Sequence, residues 1–167
     1  DDNSMARHPE YKKEREHFAS DMEYEAAQEG LPYLEFGGDI SLMVAGAGLA
    51  NTVYDLICYE HGTVANYLEF GGPNYKKAET AMRICLENKP KVILIVTFGT
   101  IARADVMAEG IAQAVKTLKP SCPIVTCLRG TGEEKVREFF EPLGLTILSD
   151  TEDAVRLACA IAKGEAQ

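Results

Sequence analysis

A doubly wound α/β fold of flavodoxin-like size, with five parallel strands, is what this chain predicts, on three observations. Apolar runs of strand length alternate with amphipathic stretches of helix length from Leu31 onward. The runs are short and nearly continuous in aliphatic residues, as suits strands covered on both faces. Each connection is long enough for a right-handed crossover between parallel neighbours.

The elements follow in order. Residues 1 to 30 are dense in Glu, Lys, Arg and His, and are expected to form a charged, solvated helical arm from about Pro9 to Gln28, since they lack the apolar stripe that an independent helix buries. Beginning Asp1-Asp2-Asn3 without a methionine, the chain reads as a piece of a longer one. Residues 31 to 167 form the domain. Tyr33 to Phe36 is a short first strand, and Ile40 to Val44 a buried one. A helix from about Gly48 to Glu60 ends at His61-Gly62. Ala65 to Phe70 is the next strand, and a helix from Tyr75 to Asn88 stops before Pro90. Val92 to Val96, all β-branched or leucine, is the most apolar strand. The helix after it runs from about Ala102 to Leu118. Ile124 to Leu128 is a strand, Gly132 to Phe140 a helix, and Leu145 to Leu148 the last strand. The last helix spans Asp150 to Lys163, with Asp150 or Thr151 as its N-cap.

Composition narrows the function. The 167 residues support one core, with 46% hydrophobic and 26% charged residues, ordinary values for a globular protein. A net charge of -9 argues against a nucleic-acid footprint, which needs clustered basic residues. No apolar run has the ~18 residues of a membrane span, and the polar start gives no export signal. The expected location is the cytoplasm, or the mitochondrial matrix in a eukaryote. Cys58, Cys85, Cys122, Cys127 and Cys159 contain no CxxC pair, and read as small buried hydrophobes in a reducing compartment. His8 and His17 lie in the charged arm and His61 at a helix end. No metal site is expected, because no Cys, His and carboxylate spacing resembles a zinc site. Neither a P-loop nor a Gly-x-Ser-x-Gly elbow is present. With no evident nucleophile or base, the chain reads as part of a catalytic assembly, and no catalytic residue is assigned within it.

The chemistry points instead to two glycine loops. Gly46-Ala47-Gly48-Leu49-Ala50 follows the strand at Ile40 to Val44. Phe98-Gly99-Thr100-Ile101-Ala102-Arg103-Ala104-Asp105 follows the strand at Val92 to Val96. Each aims backbone N–H groups and the positive end of a helix at whatever sits above it. In the 2-1-3-4-5 strand order these two strands flank the switch point, where open α/β sheets bind ligands. Gly71-Gly72-Pro73-Asn74 adds a third turn. One site for an anionic or carboxylate-bearing ligand is therefore expected, with Thr100 as a candidate N-cap and Arg103 one turn further on. It is not a dinucleotide site: Asn51 stands where the third glycine of the fingerprint belongs.

Several of these stretches also resemble a known family. Gly38-Asp39-Ile40, Gly46-Ala47-Gly48-Leu49-Ala50, Ala65-Asn66-Tyr67-Leu68, Gly71-Gly72, Phe98 through Asp105 and Glu109-Gly110-Ile111 are similar, in order, to the CoA-ligase domain of succinyl-CoA synthetase β subunits, among the NDP-forming acyl-CoA synthetases. Asp1-Asp2-Asn3 and Arg7-His8-Pro9 resemble the segment that leaves the ATP-grasp half of those subunits. The resemblance implies a carboxylate–CoA ligase working through an acyl phosphate, in which CoA, Mg and ATP or GTP belong to the complete enzyme and none is bound by this chain alone. It implies an α subunit carrying the CoA site and a phosphohistidine, and an ATP-grasp half of the β chain, as partners. The helix N-terminus at Gly99, Thr100, Ile101 and Ala102 would face the phosphohistidine. Ala45, Gly46, Ala47, Gly48 and Arg103 would bind the organic acid, and a place in the tricarboxylic acid cycle would follow for succinate.

Three positions depart from the family pattern. Ala45 stands where succinate- and malate-using members carry asparagine, Thr100 where a glycine or alanine follows Gly99, and Ala102 where valine or a polar residue precedes the arginine. Without an amide at Ala45 succinate is weakened as the acid, and citrate, malate, acetate or another carboxylate stays open. A non-catalytic assembly or ligand-sensing module of the same fold, and a flavodoxin-like nucleotide-binding domain, are the alternative readings.

Overall fold

Ile40 and Val92 start level on adjacent parallel strands, and the register holds without a slip to Ala45 opposite Thr97. This pairing is the centre of a six-stranded sheet of order β1-β3-β2-β4-β5-β6. The computed structural model describes residues 7–8, 15–71, 76–100 and 102–166. Gly72-Pro73-Asn74, Tyr75, Ile101, Pro9 and the start of the arm lie outside the described residues.

The strands are β1 (Tyr33–Glu35), β2 (Ile40–Ala45), β3 (Val64–Leu68), β4 (Val92–Gly99), β5 (Ile124–Gly130) and β6 (Thr146–Ile147). The α-helices are α1 (Asp21–Gln28), α2 (Ala47–Tyr59), α3 (Ala78–Glu87), α4 (Ala104–Leu118), α5 (Val136–Phe140) and α6 (Thr151–Lys163). From β2 onward every pairing is parallel, and the strand order is the expected 2-1-3-4-5. The sixth strand is β1, antiparallel to β3. The Gly37-Gly38 turn is too short to cross over, so the chain pairs Phe36 and Gly37 with Ala65 before entering β2.

Helices cover both faces. Ile40, Leu42, Val44, Leu94 and Val96 pack with α2 and α6. Met43, Ile93 and Ile95 pack with α3, α4 and α5. On α4, Ala104, Met107, Ala108 and Ile111 recur at the helical period and are all buried. Asp150 caps α6 by accepting the Asp153 N–H. The segment expected as one helix from Gly132 to Phe140 is instead a 3-10 turn over Glu133–Lys135 followed by α5.

The arm departs from expectation. Its described part holds a 3-10 turn at Arg15–His17 and then α1, N-capped by Ser20. The helix is not wholly solvated: Ala26 is fully buried with Leu31 and Tyr33, and Met22 packs beside them. One alanine and one methionine at i and i+4 are enough to dock so short a helix, a signal too weak to show against its charges. Cys58 is also unlike the expectation. It is exposed, whereas Cys85, Cys127 and Cys159 are buried and Cys122 intermediate, and all five are free thiols.

Beneath β1 lies a buried polar network. Asn66 accepts from the Ser41 hydroxyl and from the Asn88 amide, and donates to the Leu42 carbonyl and the Cys85 sulfur. Tyr33 completes it through Asn88. Burial pushes the Cys85 thiol up to about 11. Replacing Asn66 by alanine strands these groups without water, at on the order of 1–3 kcal/mol for each one left unsatisfied. Urea unfolding of Asn66→Ala should therefore show a clearly lower midpoint. Iodoacetamide at pH 8 should label Cys58 and spare Cys85 in the native protein.

Candidate functional site at the carboxyl ends of β2 and β4

At the ends of β2 and β4 the two glycine loops leave the same edge of the sheet side by side. Gly46 follows Ala45, and Ala45 lies opposite Thr97, so the Gly46 turn opens beside the last residues of β4, whose own loop follows Gly99. Helix α2 then packs on one face of the sheet and α4 on the other, which leaves a crevice between the loops at the switch point. Gly71 reaches the same place: a Cβ on it would stand 3.0 Å from Ala45 Cα and 3.1 Å from Gly46 N. Gly46, Ala47, Gly48, Ala45, Gly99, Thr100 and Arg103 are thus brought to one edge, as the sequence suggests.

The two helix ends differ. Gly46 is the N-cap of α2 at φ 107° and ψ 119°, a conformation closed to residues with a side chain at little cost. Among the described residues no side chain caps α2, and its first turn holds no acidic residue. Ala47 and Gly48 are exposed. The amides of this turn and the positive end of the dipole are therefore open toward the crevice.

Helix α4 begins later than expected. Its N-cap is Arg103 and its first residue Ala104, so Thr100 and Ala102 belong to the loop before it. Thr100 is not the cap. The Ala104 N–H donates to the Thr131 carbonyl at 2.8 Å, and the Val106 N–H to Asp105 Oδ1 at 3.0 Å. Gly99 is needed for this path: a Cβ there would sit 2.7 Å from Ala104 N.

Arg103 is committed to Asp105, with Nε donating to Oδ1 at 3.0 Å and Nη2 to Oδ2 at 2.9 Å. This hydrogen-bonded pairing holds the Asp105 carboxyl below its ordinary range. A lowered carboxyl keeps its stabilising role at neutral pH and loses it only as pH falls through the lowered value. The same holds for Glu133, held down by Arg129 and by the Gly130 N–H, which donates to it at 2.6 Å.

Gly130-Thr131-Gly132 is a structural element beside the crevice that the sequence did not announce as such. Thr131 donates to the Gly99 carbonyl and accepts from Ala104, so it is the strut under the Gly99 loop. The signal was present, since Gly130 and Gly132 lie two and four residues after the apolar run Ile124 to Leu128. Phe98 sits among these loops with 63% of its surface exposed. Among the described residues no group of His, Cys, Asp and Glu could hold a metal ion. Gly46→Ala is expected to cost roughly 1–3 kcal/mol from its backbone alone. Gly99→Ala should cost as much or more, because its Cβ meets main chain; chemical unfolding of both variants against the parent checks this.

Comparison with known proteins places the chain in a family. A family model described as CoA-ligase matches residues 43–161. The ADP-forming sulfoacetate-CoA ligase subunit SqwK of an Acholeplasma species is 63% identical, covering 99% of this chain and 41% of its own length. The corresponding subunit SauC of Bilophila wadsworthia is 56% identical, with 99% and 44% covered. A succinate–CoA ligase [ADP-forming] subunit beta of Staphylothermus marinus is 39% identical, with 98% and 44% covered. The chain thus spans 41–44% of the length of these relatives. Among solved structures, PH0766 from Pyrococcus horikoshii OT3 superposes with a TM-score of 0.66 at 16% identity, over 79% of this chain and 37% of that one. The methanol:cobalamin methyltransferase complex MtaBC of Methanosarcina barkeri follows at 0.52 and 17%, over 86% and 53%; these two likenesses are of fold alone. The resemblance carried by the Gly46 and Gly99 loops is borne out by the family match: this chain belongs to the CoA-ligase family.

Proposed function

We propose that this chain is the CoA-ligase domain of a subunit of an ADP-forming acid–CoA ligase, and that sulfoacetate is the acid. The reaction would join acid and CoA with loss of ATP to ADP and phosphate, through an acyl phosphate. The observation that carries the reading is the pair of glycine loops meeting over one sheet edge, with the first turn of α2 uncapped and free of acidic side chains. Such an end attracts an anion with no reorganisation of its own. The choice of sulfoacetate is supported by the relatives at 63% and 56% identity, both sulfoacetate-CoA ligase subunits, against a succinate–CoA ligase subunit at 39%. For the same reason a place in the tricarboxylic acid cycle is not specific to this domain.

In this reading the acid sits between the Gly46 and Gly99 loops, near Ala45, Gly46, Ala47 and Gly48. A phosphohistidine of the α subunit meets the end of α4 at the Thr100 and Ala102 loop. The Ala104 and Val106 amides are already used by Thr131 and Asp105, so the helix end acts there chiefly through its dipole. Arg103 neutralises the Asp105 carboxylate, which would otherwise repel an arriving anion. CoA, Mg and nucleotide belong to the partner subunit and to the ATP-grasp half of the β chain, and this chain alone is inactive. A cytoplasmic location fits the reading; among the described residues no helix is long and apolar enough to cross a membrane.

The test is the full-length subunit mixed with its partner, supplied with ATP, Mg and CoA, and screened with sulfoacetate, succinate, malate, citrate and acetate. ADP release should be greatest with sulfoacetate. Arg103→Ala, which leaves Asp105 unpaired, should lower kcat/KM by roughly tenfold, the effect of ~1.4 kcal/mol of lost anion stabilisation. Complex formation without acid-dependent ADP release would favour an assembly module instead. Equal kinetics in Arg103→Ala and Thr100→Ala would remove both residues from the site.

A further inference from the structure

We infer that Thr97 is a specificity-determining residue of this domain, its hydroxyl donating a hydrogen bond to the distal anionic group, sulfonate or carboxylate, of the acid. The inference rests on the ligase reading above but is carried by a different observation. Ser41, Asn66, Thr97 and Thr126 are the polar residues fully buried among those described. Ser41 and Asn66 bond to each other, and Thr126 donates to the Thr146 carbonyl at 2.7 Å. Thr97, 1% exposed, is the exception: its Oγ1 is buried with no hydrogen-bond partner among the described residues. Native interiors rarely leave a hydroxyl in that state without a reason, because it loses its water and gains nothing.

Its position supplies the reason. Side chains alternate along β4, so Thr97 projects from the same face as Ile93, Ile95 and the Cβ direction of Gly99. The Cβ direction of Gly99 points at Ala104 N, the first residue of α4. Thr97, one pleat below, is therefore aimed at the underside of the α4 N-terminus. Beside it in register is Ala45, which is partly open to the crevice. Ala45 brings no polar atom to that spot, and Gly71 lies against its Cα and Cβ. Adjacent strands are about 4.8 Å apart, so the Thr97 hydroxyl stands one strand over from where a side-chain amide at position 45 would stand. The donor missing from β2 is supplied by β4. A sulfonate, with three acceptor oxygens against the two of a carboxylate, gains most from one more donor placed beneath it.

Thr97→Val removes only the hydroxyl and keeps the branched shape, while Thr97→Ser keeps the hydroxyl. Each variant is made in the full-length subunit, assembled with its partner, and assayed with sulfoacetate, succinate and acetate. Thr97→Val should raise KM about tenfold for sulfoacetate. The rise should be smaller for succinate and absent for acetate, which has no distal anion. The KM values for CoA and ATP and the melting temperature should hold. Thr97→Ser should restore KM to within about threefold for sulfoacetate. An unchanged KM for sulfoacetate and succinate in Thr97→Val, an equal rise for acetate, or a large drop in melting temperature would each overturn the inference. Should the wild-type complex release no ADP with any acid, it is the ligase reading that fails. Calorimetric titration of the same assembled proteins with sulfoacetate then decides: binding by wild type that Thr97→Val loses upholds the hydroxyl's role, and equal or absent binding overturns it.

Discussion

The level register between β2 and β4 is the constraint on which the site depends. Parallel pairing from Ile40–Val92 to Ala45–Thr97 brings two chain turns to the same edge, and the crossovers then send α2 and α4 to opposite faces. A slip of one residue would turn every side chain of one strand to the wrong face, so the apolar pattern of both strands fixes the register. Met43, Ile93 and Ile95 on one side and Leu42, Val44, Leu94 and Val96 on the other are the side chains that enforce it. The crevice is thus a product of core packing.

Within that frame the two loops divide the work. The end of α2 is open and unshielded, suited to attracting negative charge. The end of α4 is largely satisfied by the chain itself, through Thr131, Asp105 and Arg103. The crevice therefore lies between one helix end that is open and one whose first amides the chain itself satisfies.

The sheet, its order and the meeting of the glycine loops were legible in the sequence because they rest on local patterns: aliphatic runs, helical periodicity and glycines directly after strands. What was not legible rests on contacts between distant segments. The late start of α4 at Ala104 depends on the Thr131 carbonyl, which no local rule places there. The docking of α1 depends on Ala26 meeting Leu31 and Tyr33 under a charged surface. Thr97 is a common strand residue, and only the absence of a partner in the folded core sets it apart from Thr126.

The strut formed by Gly130, Thr131 and Gly132 has a consequence for how this domain can vary. Thr131 is tied to both ends of the Gly99 loop, and the two main chains run so close that a side chain on Gly130 would collide with the Gly99 backbone. Neither turn can be redrawn alone. Over generations the substrate preference of such a domain can drift through side chains that project past these turns, while the length and path of both turns must be inherited together.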